Sequence, residues 1–280
     1  MAAGRHFTVL GGHGFVGRAV VGRLRGQGAE VVVPDRDWVP AGGRESLGHL
    51  IYCAGLTSDF RQRPWDTIEA HVCGLNRIVA AGGFISLLYL SSTRVYAKAK
   101  ETAEDTPLVV SPQDPSDLYN LSKLTGEAIC LRHPSPTVRV ARLSNVIGPD
   151  GASGNFVNAL IRAAITDGEF VLETAGSSEK DYIWVEDVAD LLIRIATTGR
   201  QRLYNLGSGE NVTNAAIAEA VAKATGAGWS ESTNAPSWSF PPLDVRRLKD
   251  EFNVRHRPIL STIPDIVAAL RLSDTGQQRS

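Results

Sequence analysis

Apolar positions along the chain switch repeatedly between two periods, predicting short buried strands interleaved with helices. Phe7–Leu10, the Glu30-Val-Val-Val-Pro-Asp35 segment, His49–Gly55, Phe84–Leu90 and Val138–Leu143 read as strands. Between them, Arg18–Arg25 carries helical periodicity, and Trp65–Ala81 places Ile68, Val72, Leu75 and Val79 on one face, with Gly82-Gly83 to stop it. A further helix carries Tyr119 and Lys123, entered through Pro112, Pro115 and Ser116 and broken at Pro134-Ser-Pro136. From Arg36 to Gly48 the connection is polar and too short for a full strand–helix crossover, so one unit of the sheet is expected to be abbreviated. Beyond Asp150 the expected elements are a helix over Phe156–Thr166, a loop with a short strand over Gly168–Gly176, and a helix ending near Thr198. They are followed by a strand and turn over Leu203–Gly209, a helix over Val212–Thr225 with Thr213 a candidate cap, and small helices over Asp244–Glu251 and Ile263–Leu272. The pattern calls for a mostly parallel sheet with a smaller C-terminal lobe.

Composition narrows the class without changing that picture. The 280 residues are 43% apolar and 21% charged with a net charge of −1, so nothing suggests a nucleic-acid partner or a membrane surface. The longest apolar run, Phe84–Leu90, is too short to span a bilayer. Cys53, Cys73 and Cys130 lack metal-ligand spacing and make no disulfide framework; no metal is expected. The first ten residues lack the apolar core of a secretion signal, so a cytoplasmic location is expected.

Candidate chemistry begins directly after the first strand, in Gly11-Gly-His-Gly14-Phe-Val-Gly17. Gly11 permits a tight turn, Gly14 lets backbone approach a pyrophosphate, and Gly17 lets helix pack on strand, with phosphates over the helix N-terminus. Phe15 and Val16 belong to that turn, and Ala54 and Gly55 at the end of the third strand are further cofactor-binding candidates. Asp35 falls where a carboxylate accepts hydrogen bonds from the adenosine ribose, which favours NAD; Arg36 beside it is the alternative, a phosphate partner for NADP.

The second candidate is Tyr119-Asn-Leu-Ser-Lys123. Four residues apart on a helix, phenol and ammonium share a face, and a nearby cation lowers a phenol's pKa toward working pH. Ser92, at the C-terminal end of the Phe84–Leu90 strand, is the candidate hydroxyl for a substrate oxygen, with Ser91 and Thr93 as neighbouring alternatives.

Taken in order, Gly11-x-x-Gly14-x-x-Gly17, Leu90-Ser-Ser-Thr-Arg-Val-Tyr96, Tyr119-x-x-x-Lys123, Arg142–Pro149, Asp181–Ala189 and Tyr204–Gly209 make the chain resemble the extended short-chain dehydrogenase/reductase family, NAD-dependent epimerase/dehydratase type, over Val9 to about Leu260. The resemblance implies a Rossmann-like doubly wound parallel sheet, with residues 1–150 as the NAD(P)-binding domain, 151–272 as a substrate-binding lobe returning some elements to the sheet, and 273–280 as a tail. It makes Tyr119 the acid/base, Lys123 the residue that holds the nicotinamide ribose, and Ser92 the one that orients the substrate. Thr93, Arg94, Asn145 and Lys180 fall at substrate-contacting positions, and a homodimer through Trp65–Ala81 and Tyr119–Arg132 is expected. Several positions depart from the family. Thr93 and Arg94 replace the dehydratases' Asp-Glu pair, which argues against dehydration. His71 stands where many members have Asn, Lys180 replaces an Arg, a second diphosphate arginine has no counterpart in Ser230–Pro242, and Asp37 and Trp38 are candidates for the adenine side. The expected activity is NAD(P)-dependent chemistry at a secondary alcohol or ketone of a nucleotide-linked sugar, as epimerisation or 4-keto-sugar reduction. The alternatives are a reductase of a small carbonyl compound and a non-catalytic NAD(P) sensor.

Overall fold

The computed structural model describes residues 6–36, 38, 40, 46–56, 59–150 and 154–277, with side chains as far as residue 272. Asp37 lies outside them. Its strands are β1 (His6–Leu10), β2 (Glu30–Val32), β3 (Gly48–Tyr52), β4 (Phe84–Ser92), β5 (Val138–Leu143), β6 (Asn145–Ile147), β7 (Glu169–Leu172), β8 (Glu179–Trp184), β9 (Leu203–Leu206), β10 (Asn211–Thr213) and β11 (Gly228–Glu231). The helices are α1 (Phe15–Gly26), α2 (Pro64–Ile68), α3 (Gly74–Ala81), α4 (Asp117–Arg132), α5 (Phe156–Thr166), α6 (Val185–Thr198), α7 (Asn214–Thr225), α8 (Arg246–Phe252) and α9 (Ile259–Gln277). They form two compact units, and each is built from separate stretches of chain. One comprises Met1–Ser144, Glu186–Leu206 and Asp244–Val254; the other comprises Asn145–Val185, Gly207–Leu243 and Arg255–Ser280.

The first unit holds a six-stranded sheet of order β2-β1-β3-β4-β5-β9 in which every pairing is parallel. The α/β doubly wound class read from the periodicity is therefore the observed one. Much of the segment expected to be abbreviated, residues 37, 39 and 41–45, lies outside the described ones. A full dinucleotide fold carries a third strand outside the second, whereas here the chain passes from β2 to β3, on the other side of β1, and no described strand flanks β2 outward. β2 itself ends at Val32 rather than at Asp35, because Pro34 has no N–H to give a ladder. β3 is buried along its whole length and β4 over most of it, as near-continuous apolar strands in a parallel sheet should be.

Helix α4 lies against β4 through an unusual face. Its buried residues include Asp117, Asn120, Ser122, Lys123 and Glu127, and only Tyr119, Gly126 and Cys130 interrupt that polar list. Gly126 allows the close approach, since a Cβ there would sit 2.5 Å from the Tyr89 hydroxyl. Glu127 pays for its burial with Arg142 on β5, in a two-pronged ion pair of 2.8 and 3.0 Å. The Ser91 hydroxyl donates to the same carboxylate at 2.5 Å. Arg142 continues to the Tyr96 hydroxyl at 2.5 Å, and Tyr96 donates to Asn205 at 2.9 Å. Between α2 and α3, Glu69–Cys73 forms one π-helical turn, and Gly82 and Gly83 end α3 with φ of 68° and 81°. Trp38 packs on the apolar core of this unit.

The second unit contains a three-stranded sheet, β10-β8-β6, and a two-stranded one, β11-β7. Its core gathers Ile161 from α5, Leu172, Tyr182 and Trp184 from strands, Ile217 from α7 and Ile263 from α9. The Asp181 carboxylate holds the turn after β9, accepting from the backbone N–H groups of Ser208, Gly209 and Glu210 at 3.1, 2.6 and 3.2 Å. Three boundaries differ from expectation. α7 starts at Asn214 because Val212 is paired with Lys180 in the sheet, and Thr213 caps it through the Ala216 N–H at 3.1 Å. α8 starts at Arg246 because the Asp244 carboxylate accepts the Arg246 N–H at 3.0 Å, ahead of the first turn. α9 begins at Ile259 and runs to Gln277, so most of the segment read as a tail continues the helix; residues 278–280 lie outside the described ones.

Removing one partner of a buried ion pair leaves a charge with no counterpart. Glu127→Leu is therefore expected to lower unfolding free energy by about 3–5 kcal/mol in denaturant titrations. Asp190→Asn, which breaks the solvent-exposed pair with Arg23, is expected to cost less than about 1 kcal/mol.

Candidate active site

Because all six strands of the first sheet are parallel, their C-terminal ends share one edge, and the glycine turn, Ala54, Gly55 and Ser92 lie along it. The glycine turn follows β1. Gly11 has φ of 75°, and a Cβ on it would lie 2.7 Å from the Ala54 backbone. A Cβ on Gly17 would lie 2.2 Å from the Gly11 carbonyl, so α1 docks on the turn only with glycine there. Gly14 is the N-cap of α1 and brings no side chain to cap it, so the helix N-terminus with Phe15 and Val16 is left to an outside anion. These features fit a dinucleotide's pyrophosphate. Asp35 and Arg36 are both exposed, three and four residues past the end of β2. Gly55 has a structural reason of its own, since a Cβ there would come within 2.8 Å of His71 Nε2 and 3.4 Å of Lys123 Nζ.

Tyr119, Lys123 and Glu127 form one buried stripe along α4. Lys123 donates to the Leu90 carbonyl at 2.9 Å and lies 5.2 Å from the Tyr89 ring centre. Burial pulls its pKa down to about 7, against the opposing pull of Glu127 and the Cys53 thiol. Burial raises the pKa of the Tyr119 phenol, although the nearby Ser92 hydroxyl and the Arg94 guanidinium act to lower it. The expectation that Lys123 depresses this phenol is therefore not met. The amine is tied to the Leu90 carbonyl 5.9 Å from the ring centre, desolvation outweighs the attraction, and the cation acting on the phenol is Arg94.

His71 is a site residue that spacing alone did not make central. It is fully buried in the π-helical turn, edge-on to Tyr119 with ring centres 5.4 Å apart. The Leu56 N–H donates to its Nε2 at 3.2 Å, so Nδ1 carries the proton and donates to Ser122 Oγ at 2.8 Å. Ser122 in turn donates to the Tyr119 carbonyl at 2.8 Å. Burial and the Lys123 charge push the His71 pKa down to about 2, so the imidazole is neutral. Phe60, whose ring centre is 5.2 Å from that of Tyr119, gave no signal in the sequence.

The remaining candidates divide between the units. Thr93 turns its hydroxyl back toward the Leu143 carbonyl, at 3.5 Å. Asn145 is exposed on β6, donating to the Asp181 carbonyl at 2.9 Å, and Lys180 is on β8; both belong to the second unit. Among the described residues no group of His, Cys, Asp and Glu is arranged to hold a metal, and no helix is long and apolar enough to cross a membrane.

Sheet order and glycine turn, with the buried Tyr119 and Lys123 near the half-buried Ser92, define a dinucleotide-binding protein of the Rossmann class. The NAD dependent epimerase/dehydratase family matches residues 7–207, and the chain belongs to that family. It is 26% identical over 259 residues to the GDP-L-fucose synthase of Sinorhizobium fredii, covering 80% of this chain and 81% of that protein. It is 25% identical over 249 residues to UDP-glucuronic acid decarboxylase 1 of Arabidopsis thaliana, covering 76% of this chain but only 57% of that longer protein. MoeE5, solved with UDP-glucose and NAD, superposes with a TM-score of 0.80 over 96% of this chain and 99% of its own, at 22% identity, and so shares the fold.

A lysine whose pKa is lowered on folding binds fewer protons folded than unfolded, so its penalty is full below about pH 7 and relieved as pH rises toward its unfolded value. The stability of the wild type relative to Lys123→Met is expected to increase from pH 7 to pH 9, as measured by urea titration at both values.

Proposed function

We propose that the chain moves a hydride between NAD and a secondary alcohol or ketone of a nucleotide-linked sugar, either epimerising it through a ketone or reducing a 4-keto sugar. The observation that carries this reading is the buried Tyr119 phenol near Ser92, which ends the central strand β4, with Lys123 one helical turn further on along α4. In this account the Ser92 hydroxyl holds the substrate oxygen and Tyr119 takes its proton or returns it. Lys123, fixed by the Leu90 carbonyl, holds the nicotinamide ribose. The cofactor held there would accept the hydride as NAD in an oxidation and, as NADH, give it back in epimerisation or give it to a 4-keto sugar in reduction. The neutral His71, anchored through Ser122 to the Tyr119 carbonyl, keeps α4 in register with the loop at Leu56. Asn145 and Lys180 are assigned to the substrate, and Gly11, Gly14 and Gly17 with Asp35 to the cofactor.

Elimination is not part of the proposal, although the family's name covers dehydratases. Neither Thr93, with its hydroxyl on a main-chain carbonyl, nor Arg94 offers a carboxylate to remove a proton. A homodimer through α2–α3 and α4, which expose Trp65 and Leu131, and a cytoplasmic location with Cys53, Cys73 and Cys130 as free thiols complete the reading.

Two measurements test it. Tyr119→Phe is expected to lower kcat by roughly 10²-fold or more while NAD affinity changes little; unchanged turnover would remove the acid/base role. NAD(H) is expected to raise the melting temperature more than NADP(H), since the exposed Asp35 carboxylate repels a 2′-phosphate; the reverse order would give the choice to Arg36.

A further inference from the structure

Arg94 follows Thr93 in the short 3-10 turn after β4, and its guanidinium is held among aromatic rings. Its Cζ lies 5.2 Å from the Phe60 ring centre and 5.8 Å from that of Tyr119. The Nε–H is buried without a hydrogen-bond partner, and among the described residues no carboxylate pairs with this side chain. The acidic groups nearby are already engaged. Asp114 and Asp117 both bind Lys98, at 2.8 and 2.6 Å, and Asp117 also accepts the Ser111 N–H at 2.7 Å and Asn120 at 2.8 Å. The other charge at hand repels: Arg61 lies over the same Phe60 ring, 4.7 Å from its centre. Burial, with Arg61 second, lowers the Arg94 pKa in spite of the opposing pull of Tyr119, Asp117 and Asp114. A half-buried guanidinium with an orphaned donor costs free energy unless something else completes it.

From this juxtaposition we propose that Arg94 receives a carboxylate of the substrate, so that the sugar oxidised or reduced at Tyr119 is a uronate rather than a neutral hexose. The inference rests on the proposed nucleotide-sugar chemistry and names its substrate class. A guanidinium beside the phenol would meet an acid group carried on the carbon next to the reacting carbinol, which is where a uronate has it. Planar, two-pronged hydrogen bonding to a carboxylate is the geometry an arginine supplies and a lysine does not. Phe60 and Tyr119 flank the planar group, and Arg61 adds to the positive potential there.

The experiment is calorimetric titration of the NAD-loaded protein with matched pairs of uronate and hexose, such as UDP-glucuronic acid and UDP-glucose, and the corresponding thymidine and guanosine diphosphate pairs. The wild type is expected to bind the uronate of one pair at least about tenfold more tightly than its hexose, the scale of one charge-assisted hydrogen bond. Arg94→Gln is expected to collapse that ratio towards one, and Arg94→Lys to restore part of it. A wild type that binds the hexose as well as the uronate overturns the inference and leaves the nucleotide-sugar reading standing. Equal weakening of both sugars in Arg94→Gln also overturns it, placing Arg94's effect on the Tyr119 phenol. Binding of no pair removes the nucleotide-sugar reading and the inference together.

Discussion

One buried ion pair holds helix α4 in place. Glu127 on α4 meets Arg142 on β5 with both partners almost wholly removed from water, and Ser91 at the end of β4 donates to the same carboxylate. Such a pair adds little net stability over an apolar equivalent, because desolvating two charges consumes most of their attraction. Its value lies in position. A carboxylate that must find a guanidinium admits one rotation and one height of α4 on the sheet. Tyr119 and Lys123 stand on the same stripe, so the placement of Glu127 also determines theirs. Gly126 permits the approach, and Tyr89 beneath it sets the distance.

That arrangement carries an electrostatic consequence. The spacing of Tyr119 and Lys123 invites the view that the ammonium makes the phenol acidic, yet both groups are buried and the two effects compete. Desolvation wins for each: the phenol is pushed up and the amine down to about 7. The amine is held by a carbonyl, the imidazole behind it is neutral, and the cation turned toward the phenol is Arg94.

Much of the fold was legible before any coordinates. Strand-length apolar runs separated by helical spacing specify a parallel sheet, and β2 is the outermost of its described strands on that side. Glycine positions followed from geometry: Gly11, Gly17 and the Gly82-Gly83 stop stand where a side chain has no room or the backbone turns left-handed. Element ends were read less well, and each miss has a local cause. Pro34 cut β2 short, the sheet claimed Val212 from α7, and Asp244 preceded α8 instead of joining it.

By itself the sequence determined the elements, the glycine turn and the four-residue spacing that sets phenol, amine and carboxylate on one helix face, because these depend on local dihedrals and helical period. It did not reveal that this face is the buried one: a stripe of Asp117, Asn120, Lys123 and Glu127 reads as solvated until Arg142, Ser91 and Lys98 arrive from distant stretches to satisfy it. The tertiary structure alone decided that Arg94 and Lys123 both lie over the Tyr119 ring, why His71 is neutral, and that no described carboxylate pairs with Arg94. Each of these depends on desolvation and on partners brought together across the fold, which periodicity does not encode.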